Sequence, residues 1–168
     1  MTARSVIHDT FTIERAYPAE PARVFAAFSS AEAKEAWGDT GDLGEPAQGE
    51  AGIAEFDFRS GGRERFGFVY QGTEMRYDAR YYDIAPGQRI VYVYEMYANG
   101  ERISVSVATI EFAGDGAGKT TLTWTEQGVF LDGIDGPQAP RLREGGTAEM
   151  LGNLTGYLQR DVQAGAHR

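Results

Sequence analysis

Apolar and polar residues alternate along the middle of the chain, and that alternation predicts a sheet. From about Gly52 to Val129, Tyr, Phe, Val and Ile recur at every second position, and glycine-containing turns cut the run into segments. GIAEFDFRS reads as a strand with Ala54, Phe56 and Phe58 facing inward, closed by a tight turn at Ser60-Gly61-Gly62. Phe66, Phe68 and Tyr70 form the next inward set, and Gln71-Gly72 turns the chain. Met75, Tyr77, Ala79 and Tyr81 then oppose Arg76, Asp78, Arg80 and Tyr82. Ala85-Pro86-Gly87 fits a type II turn, with Pro at its second position and Gly at its third. Asn99-Gly100 is a strong hairpin signal. ERISVSVATIEF, a GDGAGK turn and TTLTWTEQG follow, the last with Leu122, Trp124 and Glu126 on one face.

The flanks have other periods. His8 to Arg15 alternates and predicts a first strand. Pro21 suits the first turn of a helix whose apolar face is Val24, Phe25 and Phe28. Ser29, three residues before Glu32, predicts a capping box for a second short helix that ends at Gly38. From about Thr147 to Val162, Met150, Leu151, Leu154, Leu158 and Val162 recur at helical spacing with Tyr157 beside them. Gly152 and Gly156 lie on one side of that helix, where its backbone can approach the sheet closely. Gly38–Gly52 and Leu131–Gly146 read as the loosest segments. The order is strand, two short helices, six strands and a long helix: one α+β domain over residues 1–168. A seven-stranded antiparallel sheet of this kind needs its apolar face covered, and the last helix is the long element available. Strong sheet twist would leave a cavity beneath it.

Composition removes several functions. Cysteine is absent, so there is no thiolate nucleophile, disulfide or cysteine-bound zinc. The two histidines, His8 and His167, lie near the ends and read as surface residues, so no metal or other cofactor is expected. A net charge of −9 opposes nucleic-acid binding. No stretch approaches the ~20 apolar residues of a membrane span, and the start lacks a signal-peptide core. A cytoplasmic protein is expected.

At FTIERAYPAEPARVFAAFSSAEAKEAW, FDFRSGGRERF, YYDIAPGQRIVYVYE, TTLTWTEQGVF and the helix up to Gly156-Tyr157-Leu158, the chain resembles the activator of heat-shock protein 90 ATPase-like family. That family lies within the START/birch-pollen-allergen (SRPBCC) superfamily. The resemblance is carried by Pro21, Val24, Phe25 and Trp37, and departs at Gly38, where relatives often have a second aromatic residue. It implies a helix-grip fold with a seven-stranded curved sheet around the C-terminal helix. It also implies a cavity for a small hydrophobic or amphipathic ligand. Trp37, Phe56, Phe66, Phe68, Tyr77, Tyr92, Trp124, Glu126, Met150, Leu154 and Tyr157 are the expected lining.

Several choices stay open at this level. Tyr77, Tyr81, Tyr92 and Tyr94 either pack the core or line the cavity. Glu126 either reaches water or an arginine at a strand end, or serves as a buried polar anchor or general acid/base. Arg76 and Arg80 read as an outward charged ladder around Asp78, against a carboxylate-binding pair. SGG and GDGAGK lack phosphate-loop spacing and read as hairpins. RIVYVYEMY is apolar on both parities, which suits either burial on both faces or a homodimer. No nucleophile has an orienting partner nearby in sequence, so catalysis is not the first expectation. The rival functions are a chaperone-ATPase activator of the stress response, which the lack of a second module weighs against, and a cyclase- or hydratase-type enzyme using Glu126.

Overall fold

The computed structural model describes residues 3–38 and 53–165, without the side chains of residues 53–54 and 161–165. His167, the inward placement of Ala54 and the side chain of Val162 therefore fall outside the described residues. The elements run β1 (Val6–Tyr17), α1 (Pro21–Ala26), α2 (Ala31–Gly38), β2 (Ile53–Phe56), β3 (Arg63–Tyr70), β4 (Thr73–Ala85), β5 (Arg89–Ala98), β6 (Glu101–Gly114), β7 (Thr120–Leu131) and α3 (Ala139–Gly165). All seven strands form one antiparallel sheet in the order β1-β7-β6-β5-β4-β3-β2. From β2 to β7 each strand pairs with the next by a hairpin, and β1 closes onto β7 at the far edge. This is the α+β architecture expected, consistent with a helix grip.

The turns obey their sequences. Asn99 and Gly100 have φ of 48° and 79°, both in the left-handed region, as the hairpin turn of a right-twisted ribbon requires. Gly87 has φ of 71°, and the Gln88 N–H donates to the Ala85 carbonyl at 2.9 Å, completing the type II turn. Gly62 is required for another reason: a Cβ there would stand 2.0 Å from the Asp57 carbonyl oxygen. GDGAGK is a hairpin loop in which Asp115 Oδ1 accepts from the Ala117 and Lys119 N–H groups.

Register sets one inner face. Across it, Phe66, Tyr77, Met96, Ser104 and Phe130 form one rung, and Glu64, Ala79, Tyr94, Ser106 and Gly128 the next. Tyr81, Tyr92, Ala108, Glu126 and Phe11 follow. The main core lies between this face and the helices. Val24 and Phe25 of α1, Trp37 of α2, and Leu151, Leu154 and Leu158 of α3 are buried against it. One end is closed by aromatic rings: Phe25 meets Phe112 at 5.5 Å and Phe58 at 5.7 Å, and Phe28 meets Trp37 at 4.9 Å. Buried polar groups there are satisfied, since Trp37 Nε1 donates to the Ala27 carbonyl and the Tyr17 hydroxyl donates to that of Leu151.

Three local expectations are corrected. The cap of α2 is Ser30, whose Oγ accepts from the Ala33 N–H at 3.2 Å; Ser29 instead donates to the Ala26 carbonyl. One residue of phase separates the two, because α1 ends in a tight turn that uses Ser29. Helix α3 begins at Ala139, eight residues before Thr147, and runs through Gly145-Gly146. Gly152 and Gly156 do not approach the sheet. They line an open hollow of about 310 Å³ with Ala36 of α2, Asn153 and Arg160.

Arg76 and Arg80 lie on the outer face as predicted, but Asp78 pairs with Arg63 (3.6 Å) and Arg76 covers the Tyr97 ring at 4.1 Å. His8 is exposed, on the outer side of β1.

Candidate functional site

Four tyrosines stand side by side on the inner face of β4 and β5, and their hydroxyls divide into two pairs. Alternation puts Tyr77 and Tyr81 on β4 and Tyr92 and Tyr94 on β5, and the register makes them neighbours. Tyr77 meets Tyr94 at 5.1 Å, Tyr92 meets Tyr94 at 5.8 Å and Tyr81 meets Tyr92 at 6.0 Å. The Tyr81 hydroxyl donates to Glu64 Oε2 at 2.5 Å, and the Tyr94 hydroxyl donates to Glu126 Oε1. No hydrogen bond joins the hydroxyls of Tyr77 or Tyr92 to any described residue. These two hydroxyls and the buried Ser106 Oγ are polar groups of this face that make no hydrogen bond to a described residue. Burial pushes the ionisation of all four above the ordinary phenol range, so each remains an O–H donor.

Glu126 lies on the inner face of β7 and is 2% exposed. Besides Tyr94 it accepts from Trp124 Nε1 at 3.2 Å. Arg143 Nη1 is 3.8 Å away, a loose pairing. The guanidinium spends its close hydrogen bonds on neutral oxygens, the Tyr94 hydroxyl (2.9 Å) and Ser104 Oγ (2.8 Å), while resting over the Tyr94 and Phe130 rings. The Ser106 hydroxyl lies near the carboxylate without an ordinary hydrogen bond to it. Gly128, opposite Ser106, makes room there, since a Cβ would approach Ser106 Oγ to 2.9 Å. Burial raises the Glu126 carboxyl above its ordinary range, and the Tyr94 hydroxyl, the Arg143 charge and the Trp124 N–H offset this only in part.

Across the sheet a second carboxylate, Glu64 of β3, is equally buried. Lys34 of α2 meets both of its oxygens, at 2.8 and 2.7 Å. The sequence reading missed Glu64, although it shares the parity of Phe66 and Phe68. It also missed Lys34, Ser104 and Arg143. Glu64 carried a legible signal in its parity; Arg143 did not, because it precedes the stretch that reads as helix.

The expected lining divides by place. Trp37, Trp124 and Leu154 are fully buried in ring and side-chain contacts. Tyr92 is buried at the centre, where it meets Trp124 at 6.1 Å. Phe66 stacks on Tyr77 at 4.7 Å and touches Phe68, and all three are half-buried. Met150 and Tyr157 of α3 are half-buried against the core. Phe56 lies apart, stacked on Phe58 and below Lys34.

Beyond Phe68 and Tyr77 the inner face runs into an open hollow of about 390 Å³. Tyr70, Thr73, Met75 and Ala98 supply its inner-face side, and Ile134 and Asp135 the opposite wall. Among the described residues no cluster of His, Asp and Glu has the makings of a metal site, and no helix is long and apolar enough to cross a membrane.

An open antiparallel sheet gripping a long helix, with buried polar groups along the grip, defines a helix-grip protein of the SRPBCC type. Residues 18–159 match the profile of the Activator of Hsp90 ATPase homolog 1-like proteins, and the chain belongs to that family. Members commonly bind hydrophobic ligands. A Rhizobium leguminosarum protein is 41% identical with a TM-score of 0.79, the match covering 95% of this chain and 99% of that one. A Rhizobium loti protein is 44% identical with a TM-score of 0.76, over 91% and 99%. One from Chromobacterium violaceum is 27% identical with a TM-score of 0.68, over 88% and 94%. No curated protein matches the chain.

Proposed function

We propose that the inner face between β3–β5 and α3 holds a small amphipathic molecule with an apolar, ring-sized body. The observation that carries this reading is the unpartnered pair of hydroxyls, Tyr77 and Tyr92, beside two tyrosines, Tyr81 and Tyr94, whose hydroxyls are taken by carboxylates. Pockets for small molecules join such apolar walls to a few placed polar groups. Phe66, Phe68 and Met150 contact the apolar body, and Glu126 with Tyr94 and Arg143 forms the polar end. The hollow at Tyr70, Met75 and Ile134 is the entrance. Trp37, Trp124 and Leu154 support the walls. Native mass spectrometry of freshly purified protein tests this, with a retained small molecule as the expected result. A bare chain that also fails to bind the neutral fluorescent probe N-phenylnaphthylamine would contradict it.

A second reading rests on the family match: a protein that stimulates a chaperone ATPase. An unchanged ATPase rate on adding the chain to the bacterial chaperone eliminates it. Acid/base turnover by Glu126 is the third reading, supported by its raised pKa in an enclosed setting. It requires that Glu126→Gln abolish turnover of the bound molecule while binding persists.

A further inference from the structure

Helix α3 has two parts that differ in what holds them. From Thr147 onward its apolar stripe is core: Leu151, Leu154 and Leu158 are buried, with Ala148, Met150 and Tyr157 packed beside them. The first two turns lack such a stripe. Ala139 is buried, but Arg141, Leu142, Glu144, Gly145 and Gly146 are exposed, Leu142 by 64%. The side-chain hydrogen bonds joining these turns to the sheet come from Arg143 alone among the described residues, to Tyr94 and Ser104.

Glycines stand at both ends of this segment. Gly145 and Gly146 stand consecutively inside the helix with open space around each, and two glycines in succession weaken a helix. At the other end Asp132 and Gly133 have φ of 57° and 64°, and the helix starts with no acidic residue in its first turn. Asp132 itself is tied down, since its Oδ1 accepts from the Ser5 N–H and its N–H donates to the Ser5 carbonyl. Between these points Ile134 and Asp135 form one wall of the 390 Å³ hollow, and Asp135 acts electrostatically on Arg143. A segment with few buried apolar contacts between two glycine-bearing ends is the kind that opens locally.

We propose that residues 133–146 form a lid over the entrance, hinged at Asp132-Gly133 and at Gly145-Gly146, and latched to the sheet by Arg143 through Tyr94 and Ser104. Its opening is the route by which ligand enters and leaves. The lid rests on the binding reading above for its purpose, but its motion is measurable without any ligand.

Hydrogen exchange on the full chain decides the motion. The amides of 142–146 exchange at least about tenfold faster than those of 150–158, as expected for a segment with its own opening equilibrium. Arg143→Met removes the latch bonds and speeds the first group by about tenfold or more while leaving the second unchanged. Gly145→Ala with Gly146→Ala stiffens the hinge without touching latch or floor, and slows the first group by about fivefold or more. Stopped-flow mixing with N-phenylnaphthylamine reads the gating. Association and dissociation both slow in the double alanine variant, by the factor seen in hydrogen exchange. If 142–146 and 150–158 exchange as one unit in wild type and in Arg143→Met, there is no lid. If exchange slows in the double variant but the probe rates do not, the segment moves without gating the site. Failure of the probe to bind wild type that native mass spectrometry shows bare overturns both the binding reading and the gate, whereas normal binding at unchanged rates overturns the gate alone.

Discussion

Glu64 and Glu126 occupy the same inner face near opposite edges of the sheet, and each accepts a hydrogen bond from one tyrosine of the central four. Their cations differ. Lys34 contacts both oxygens of Glu64 within 2.8 Å, whereas Arg143 stays 3.8 Å from Glu126 and gives its close bonds to neutral oxygens. A buried charge is tolerable when a partner meets it closely and costly when the pairing is loose. Glu64 is thus a tie between sheet and α2. Glu126 keeps a raised pKa, with burial outweighing Tyr94, Trp124 and the offset Arg143.

The largest expected effect separates the two cations. Lys34→Met leaves Glu64 buried without its counter-charge and costs about 3 kcal/mol in urea unfolding at neutral pH. Arg143→Met costs less than that, because its pairing with Glu126 is loose and Glu126 is already biased toward taking up a proton. Equal losses would erase the distinction between the sites.

Next comes the effect of pH. The folded-state pKa of Glu126 lies above its unfolded value, so the folded state binds the proton more tightly. Its contribution to stability is complete below the ordinary glutamate range, is lost as pH rises from that range to the raised value, and is level above it. Glu126→Gln removes this downward slope in a urea-unfolding series across that window. A slope that survives belongs to another group.

The tyrosines give smaller and opposite effects. Tyr81→Phe and Tyr94→Phe each remove a hydrogen bond to a carboxylate and cost about 1.5–3 kcal/mol. Tyr77→Phe and Tyr92→Phe remove hydroxyls with no partner among the described residues and change unfolding free energy by no more than about 0.5 kcal/mol. A large loss at Tyr77 or Tyr92 would mean that its hydroxyl is part of the fold.

How much of this was legible in the sequence depended on whether a local pattern carried it. Strand parity placed Tyr77, Tyr81, Trp124 and Glu126 on the inner face, because a period of two leaves no third direction. Turn glycines and Asn99 marked the hairpins, because only those residues take the required φ cheaply. Parity did not separate Tyr77 and Tyr92 from Tyr81 and Tyr94. That difference is made by Glu64 and Glu126, which approach from β3 and β7. Arg143 was illegible for a related reason: Gly145-Gly146 reads as a break, and only packing of the later turns carries the helix back across it. The choice of Ser30 over Ser29 turned on one residue of phase at the end of α1, finer than the pattern resolves. The separate site of Phe56, stacked on Phe58 near α2, follows from the shortness of β2 and the register shift between Ile53 and Glu55.

The central claim is that the hydroxyls of Tyr77 and Tyr92 are kept for a ligand. Equilibrium titration of wild type and of a Tyr77→Phe/Tyr92→Phe double variant with N-phenylnaphthylamine tests it directly. The predicted result is a roughly three- to tenfold weaker Kd in the double variant, as for the loss of the one hydrogen bond the probe's N–H can make to a tyrosine oxygen, with the unfolding free energy unchanged. Equal affinity in the two proteins would contradict it.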